Sequence, residues 1–167
     1  GLGSTWRWRC AIWGCTWRKG EHLEERRARA RSGEREATIV QCHGYFDLLH
    51  YGHLVHLEAA KAAAGVGGTL VVTLTAGAHC AKPGHPIFSD AQRVAMLRAL
   101  RCVDEAMVID APDALAAIER VNPDVYVKGL EYEGVLPELQ YCLEHGIEVK
   151  FLGPKMFSST RLAGQLA

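Results

Sequence analysis

The chain lacks the features that would assign it to a membrane or to nucleic acid. None of its apolar runs reaches the roughly 20 residues of a transmembrane helix. Its 19 lysines and arginines are balanced by 19 aspartates and glutamates, so no net charge attracts it to nucleic acid or to an acidic membrane surface. Its six cysteines are scattered and lie mostly among apolar residues, as in proteins of a reducing compartment. These absences predict a cytoplasmic protein with no membrane and no nucleic-acid partner.

The most informative segment that is present runs from Gly44 to His53 and reads Gly-Tyr-Phe-Asp-Leu-Leu-His-Tyr-Gly-His. An apolar stretch before it, residues 38–42, predicts a buried strand, and residues 54–62 after it predict a helix. A glycine-containing turn between a strand and a helix is a common phosphate site. The first N–H groups of a helix have no helical partner there, and the helix dipole favours negative charge. The segment therefore predicts an anion-binding turn.

Two histidines of this turn are spaced to act together. If the helix begins near Tyr51, His50 and His53 lie about one turn apart on the same side, so both imidazoles can point at one anion. Gly52 between them has no side chain, which lets a ligand come close to the backbone. Donors so placed can stabilise negative charge that develops at a phosphorus atom. The alternative is a pair of surface histidines beside a helix cap.

Strand patterns and helix patterns alternate from residue 37 to the end. Strands are predicted at 38–42, 69–75, 105–109, 124–128 and 147–152. Helix starts are predicted at Ser89-Asp90, at Pro112-Asp113 and at Pro137. This alternation predicts an α/β fold with a doubly wound parallel sheet of about five strands in a single domain, residues 37–167. Ligands of such sheets bind at the carboxyl ends of the strands, where the motifs fall.

A second phosphate motif, Phe157-Ser158-Ser159-Thr160-Arg161, opens the predicted final helix. Hydroxyl groups and unbonded N–H groups at a helix start suit a phosphate, and Arg161 adds a charged donor. Taken alone, the pattern favours an ordinary Ser/Thr helix cap.

The first 36 residues differ in composition from the rest. Four tryptophans lie among arginines and glycines, and a charged helical stretch follows at 21–31. We expect a tail, a linker from a preceding domain or added sequence, outside the catalytic domain. Contact with nucleic acid is the alternative for such an aromatic and basic mixture. Cys10, Cys15 and His22 lack a fourth ligand and zinc-finger spacing, so no metal site is predicted there.

The Gly-Tyr-Phe-Asp segment with its His-x-Gly-His continuation resembles the signature of the cytidylyltransferase-like nucleotidyltransferases, and the match extends over roughly residues 37–166. Within that superfamily it resembles glycerol-3-phosphate cytidylyltransferase and the nucleotidyltransferase domain of bacterial ADP-heptose synthases. The resemblance implies a Rossmann-like sheet. It also implies transfer of a nucleoside monophosphate from a nucleoside triphosphate to a phosphorylated acceptor, with release of pyrophosphate. The catalytic residues that it implies are His50, His53 and Lys82.

The same resemblance assigns binding roles along the chain. Lys82 would bind oxygens of the acceptor or of the triphosphate, Lys128 would lie beside the nucleotide, and the motif at 158–161 would hold the β- and γ-phosphates. Arg93 also matches a family position, although an arginine on a helix is more often solvated. The implied nucleotide- and phosphate-binding residues are Gly44, Tyr45, Phe46, Gly52, Lys128, Ser158, Ser159, Thr160 and Arg161.

The sequence departs from the family pattern at three loop positions. Gly77 stands where many relatives have an aspartate, His85 where an arginine is common, and Leu130 where the family has glycine. In relatives the region of Gly77 faces the acceptor, and the turn at Leu130 lies beside the nucleotide. Asp47 is expected to stabilise the phosphate turn rather than to take part in the chemistry.

The histidine-rich composition raises the question of a metal centre. His43, His50, His53, His56 and His79 are possible ligands, but no carboxylate or cysteine completes a site, so no protein-ligated metal is predicted. A Mg²⁺ ion held mainly by the nucleoside triphosphate is expected instead, because magnesium keeps several waters and needs few protein ligands.

The substrates expected from the resemblance are ATP or CTP and a sugar-phosphate or polyol-phosphate acceptor. Class I aminoacyl-tRNA synthetases share the histidine signature, but they also need a Lys-Met-Ser-Lys-Ser-like loop and a tRNA-binding region. Adenylyltransferases for pantetheine phosphate or nicotinamide mononucleotide share the fold, and a nucleotide-binding domain without turnover is the non-enzymatic alternative. Relatives are often dimers, which suggests a homodimer, and in some relatives the domain is fused to a sugar kinase.

Overall fold

The computed structural model describes residues 38–153 of the chain. The segment 1–37 and the motif Ser158-Ser159-Thr160-Arg161, with its predicted final helix, lie outside the described residues. The domain boundary after residue 36 and the roles of that motif therefore stay predictions.

All five predicted strands form, and they make one parallel sheet. The strands are β1 (Ile39–Gly44), β2 (Thr69–Thr75), β3 (Glu105–Ile109), β4 (Val125–Lys128) and β5 (Glu148–Phe151). Their order across the sheet is β3-β2-β1-β4-β5, and each neighbouring pair is parallel. Every residue of β2 is buried, as expected of an interior strand covered on both faces. The doubly wound parallel sheet predicted from the sequence is confirmed.

The helices begin close to the residues that predicted them. The helices are α1 (Tyr51–Ala64), α2 (Asp90–Arg98), α3 (Leu115–Val121) and α4 (Leu139–Glu144), with 3₁₀ turns at Gly77–His79 and Leu130–Tyr132. Ser89 and Gln92 form a reciprocal capping box at the start of α2. The Asp113 carboxylate accepts the backbone N–H of Leu115 at the start of α3, and Asn122 ends that helix in a left-handed conformation, φ 47°.

The helices cover both faces of the sheet because side chains alternate along each strand. In β4, Val125 and Val127 pack into a core with α1 and α2, whereas Tyr126 between them packs into a second core. That second core includes Ile118 of α3 and Cys142 of α4. Burial of two separate apolar faces against this one sheet holds the domain together.

The order of the strands places a crevice beside the end of β1. After β1 the chain builds β2 and β3 on one side, and then returns across the sheet to build β4 on the other side of β1. The loops that leave β1 and β4 therefore run in opposite directions, and open α/β sheets bind their ligands at such a switch point.

The described cysteines are free thiols, and no described helix is both long and apolar enough to cross a bilayer. Cys42 lies in the core, where burial raises the pKa of its thiol to about 12. A thiol held uncharged in this way packs as a small apolar group and is a poor nucleophile.

Candidate functional site

An open cavity of about 770 Å³ lies above the carboxyl ends of β1 and β4, at the switch point. This volume falls in the range of small-molecule sites. The structure brings every described residue of the predicted site to its wall, namely Gly44, Tyr45, Phe46, His50, Gly52, His53, Lys82 and Lys128. Residues that lie far apart in the chain therefore meet in one place.

The phosphate turn has a strained and well-supported backbone. Phe46 adopts a left-handed conformation, φ 49°, which is uncommon for a bulky residue, and its ring is buried. Its ring comes so close to Gly44 that a Cβ atom on that glycine would lie 3.1 Å from it. A side chain at 44 would thus press on the buried ring of Phe46, which glycine avoids.

Arg93 stabilises this turn by a hydrogen bond to its backbone. Its guanidinium is fully buried, and Nη1 donates to the carbonyl oxygens of Tyr45 at 2.6 Å and of Thr75 at 3.1 Å. Its Nη2 donates to Asp90 at 2.6 Å. The solvated alternative for Arg93 is therefore wrong, because the side chain joins the turn after β1 to the end of β2. It is a positioning residue rather than part of the cavity wall.

Asp47 fastens the turn to the loop before α2. Its Oδ1 accepts the backbone N–H groups of Ile87 at 2.8 Å and Phe88 at 3.2 Å, and its Oδ2 accepts from His85 Nδ1 at 2.6 Å. This arrangement agrees with the expected structural role of Asp47. It also brings His85, which the sequence marked only as a departure, to the edge of the cavity.

His50 and His53 lie on the same side of the first turn of α1, as predicted. Their rings stack with centroids 3.8 Å apart and an angle of 18° between the planes. His50 is also the N-cap of the helix, because its Nδ1 accepts the backbone N–H of His53 at 3.3 Å. Since Nδ1 acts as the acceptor, we assign the proton of His50 to Nε2.

Both rings are neutral at neutral pH. Burial and the neighbouring His50 and His56 lower the pKa of His53 to about 4, and a hydrogen bond to the Leu48 backbone offsets only part of this shift. Burial also lowers the pKa of His50. The pair therefore offers neutral N–H donors to an anion, and positive charge must come from other residues.

His43 is a cavity residue that sequence reasoning considered only as a metal ligand. Its Nδ1 lies 3.0 Å from Thr73 Oγ1 and its Nε2 lies 3.0 Å from Thr75 Oγ1. Burial and the charge of Lys128 lower its pKa to about 4. Its position directly before Gly44 was visible in the sequence. The two threonine contacts depend on the β1–β2 register, and the sequence does not show this register.

Lys128 is buried at the end of β4 and does not extend into water, so the solvated alternative is wrong. Burial lowers its pKa. Its Nζ donates to the His43 carbonyl oxygen at 3.3 Å and lies 4.9 Å from the centre of the Tyr132 ring. The wall beside it includes Asp113 and Glu138, which sequence reasoning missed as site residues. The predicted helix starts at Pro112-Asp113 and at Pro137 were the sequence signals that pointed to this region.

The structure accounts for two departures from the family pattern. A Cβ atom at Gly77 would lie 2.9 Å from Pro86 Cγ and 3.1 Å from an Asp90 oxygen, so an aspartate side chain has no room there. Asp90 instead accepts the backbone N–H of Gly77 at 2.9 Å. Leu130 is exposed, and its turn closes by a hydrogen bond of 3.0 Å from the Tyr132 N–H to the Gly129 carbonyl oxygen.

Two of the histidines considered as metal ligands, His56 and His79, contact different residues. His79 pairs with Asp110 at 2.8 Å, and His56 lies 3.7 Å from Cys42 Sγ and 3.3 Å from the Leu152 carbonyl oxygen. Within residues 38–153, no group of three or more histidine, cysteine, aspartate or glutamate side chains is placed to hold a metal ion.

The chain is similar to known proteins over most of the described residues. The model of the cytidylyltransferase-like family matches residues 42–151. The bifunctional protein HldE of Streptomyces coelicolor is 39% identical over 121 residues, which make up 70% of this chain and 26% of that protein. The bifunctional protein HldE of Citrifermentans bemidjiense is 37% identical over 112 residues, 64% of this chain and 22% of that protein. The chain thus spans about a quarter of the length of these relatives.

A solved structure shares the fold over nearly its whole length. The lipopolysaccharide core biosynthesis protein from Thermoplasma volcanium superimposes with a TM-score of 0.56 and 28% identity. The superposition covers 72% of this chain and 98% of that protein. Nearly all of that protein therefore corresponds to part of this chain.

Proposed function

Because the chain belongs to the cytidylyltransferase-like family, we propose that it is a nucleotidyltransferase domain that transfers a nucleoside monophosphate from ATP or CTP to a sugar-phosphate or polyol-phosphate acceptor and releases pyrophosphate. The observation that carries the proposal is the stacked pair His50 and His53 on the first turn of α1, facing a cavity at the switch point. A helix start of this kind attracts phosphate, and α1 is 14 residues long.

The proposed reaction is a direct in-line displacement. An oxygen of the acceptor phosphate forms a bond to the α-phosphorus of the nucleoside triphosphate, while the bond from that phosphorus to the pyrophosphate oxygen breaks. A phosphate is already largely ionised near neutral pH, so the step needs no strong general base. The protein's contribution is to position the reactants and to stabilise negative charge in the transition state.

His50 and His53 would donate N–H groups to the triphosphate and to the charge that builds up at the α-phosphorus. Their lowered pKa values suit this role, because a neutral imidazole keeps one N–H donor without exchanging its proton near pH 7. The stacked geometry fixes the two rings relative to each other, which supports preorganised stabilisation.

Two lysines would supply the positive charge that the neutral histidines lack. Lys82 lies exposed on the loop at the cavity edge, where its flexible side chain can reach oxygens of the acceptor or the triphosphate. Lys128 is fixed on the floor by its bond to the His43 carbonyl oxygen. The motif at 158–161 would hold the β- and γ-phosphates.

We expect Mg²⁺ to enter the site with the nucleotide. No described cluster of protein ligands forms a cage for an ion, and the carboxylates on the cavity wall, Asp47, Asp113, Glu131 and Glu138, form no such group. This donor set suits an ion that is held by triphosphate oxygens and water. When bound, the ion would neutralise charge on the phosphates.

We also propose that this domain is one part of a longer protein. The HldE relatives are bifunctional and about four times as long as the matched region, which supports a fusion of this domain to a sugar kinase in the full-length protein. A homodimer, a cytoplasmic location and the absence of a nucleic-acid partner are proposed on the resemblance and composition alone.

The experiment that tests the function is pyrophosphate release in the presence of magnesium. It uses the four ribonucleoside triphosphates with a panel of sugar, polyol and amino-alcohol phosphates, to which pantetheine phosphate and nicotinamide mononucleotide are added. Release with one pair of substrates, abolished by His53→Ala, would identify the reaction and both substrates. Nucleotide binding without release from any acceptor would favour a binding domain without turnover.

A further inference from the structure

His85 and Asp47 form a buried contact that the proposed mechanism does not use. His85 Nδ1 lies 2.6 Å from Asp47 Oδ2, and the two residues are 38 positions apart in the chain. The side chain of Asp47 is 9% exposed and that of His85 is 16% exposed. A hydrogen bond this short and this sheltered fixes the orientation of the imidazole ring.

The partners of Asp47 decide which nitrogen of His85 carries the proton. Burial acts to raise the pKa of Asp47, but hydrogen bonds from His85 and from the N–H groups of Phe88 and Ile87 outweigh it and hold the pKa below its ordinary value. Asp47 is therefore a carboxylate, which can only accept hydrogen bonds. The hydrogen bond thus assigns a proton to Nδ1 of His85.

The opposite edge of the ring is available to a ligand. Nε2 of His85 makes no hydrogen bond to any other residue between 38 and 153, and the ring borders the same cavity as His50, His53 and Lys82. Asp47 belongs to the phosphate turn itself, so it holds the ring beside the anion site.

We propose that His85 is a further phosphate-binding residue, whose Nε2–H donates to an anionic oxygen of the substrate phosphates while Asp47 holds Nδ1. An imidazole ring that donates from both nitrogens carries a positive charge. His85 would thereby add a cation beside a turn whose two histidines are neutral. The inference rests on the phosphate site of the proposed function, but it does not require turnover.

Other charged and titratable groups also line the cavity. They are Asp47 of the turn, His50, His53 and His56 of α1, Lys82 of the same loop as His85, and His43, Asp113, Lys128, Glu131 and Glu138 across the cavity. A variant with a permanent cation at position 85 is therefore the needed reference.

The test measures the dissociation constant of inorganic pyrophosphate by calorimetry at pH 6, without any acceptor. His85→Gln keeps a polar side chain but not the charge, and His85→Arg keeps a permanent cation that can still donate to Asp47. We expect His85→Gln to bind pyrophosphate about tenfold more weakly than the wild type. His85→Arg should bind pyrophosphate about as tightly as the wild type, because its permanent charge replaces that of the imidazolium.

Two results would overturn the proposal. One is equal affinity of His85→Gln and the wild type at pH 6, with melting temperatures that show both to be folded. The other is a folded His85→Arg variant that binds pyrophosphate about tenfold more weakly than the wild type, which decides the question even if His85→Gln is unstable. Because pyrophosphate binding is read without turnover, a failure to find an acceptor would count against the proposed function alone.

Discussion

The guanidinium of Arg93 donates a hydrogen bond of 2.6 Å to the carbonyl oxygen of Tyr45, and so connects the core of the domain to the phosphate turn. The same side chain bonds Thr75 and Asp90, and it is fully buried. A charged group in this position is stable only because each of its main partners is in place. The shape of the anion site therefore depends on a residue that does not line it.

Arg93→Ala should lower the free energy of unfolding by about 2–3 kcal/mol, because it leaves the carbonyl groups of Tyr45 and Thr75 without their buried donor. Denaturant unfolding followed by fluorescence would measure the change. Arg98→Ala is the matched control, since Arg98 lies on the same helix and is exposed, although it also donates to a carbonyl oxygen, that of Ala106. An equal loss of stability in both variants would contradict the special role of Arg93.

His53→Ala should lower turnover about 10²-fold with the fold intact, because it removes a preorganised donor to the transition state. His50→Ala should lower turnover as well and should also cost about 1 kcal/mol of stability through loss of the helix cap. His50→Asn should recover the stability but not the turnover, since asparagine is a good N-cap. The readouts are the kcat of pyrophosphate release and the melting temperature.

The exposed His145 provides the control for this series, because it lies outside the cavity and stacks on Tyr141. His145→Ala should leave turnover unchanged. If His53→Ala also keeps wild-type turnover, the assignment of the histidine pair to catalysis is wrong.

The stability of the domain should fall as the pH is lowered from about 6.5 to about 4. In the folded protein the pKa values of His43 and His53 are lowered from 6.5 to about 4, whereas the unfolded chain takes up these protons near pH 6.5. The unfolded state therefore binds more protons within this window, and the free energy of unfolding decreases with decreasing pH. Each of the two groups contributes on the order of 3 kcal/mol to this decrease.

Urea unfolding at a series of pH values would measure the effect. His43→Asn should reduce the slope of stability against pH, since the amide can bond the threonine hydroxyls but does not titrate. His50 and His56, whose pKa values are also lowered, act in the same direction and preserve part of the slope. Constant stability of the wild type between pH 6.5 and pH 4 would contradict the burial of these histidines as neutral groups.

Local sequence patterns determined the elements of this protein. Continuous apolar runs predicted strands such as β2, because a strand buried on both faces has no polar side to show. Ser89-Asp90 marked the start of α2, because unbonded N–H groups at a helix start need nearby acceptors. The facing pair His50 and His53 was visible for a similar reason, since their stacking and the helix cap lie within one helical turn.

Only the tertiary structure decided how distant residues complete the site. The burial of Arg93, the contact between Asp47 and His85 and the placing of His43 between Thr73 and Thr75 join positions that are 30 or more apart in the chain. Nothing in a local pattern distinguishes a buried arginine or lysine from a solvated one. The strand order and the register set these distances, and they result from packing the two faces of the whole sheet at once.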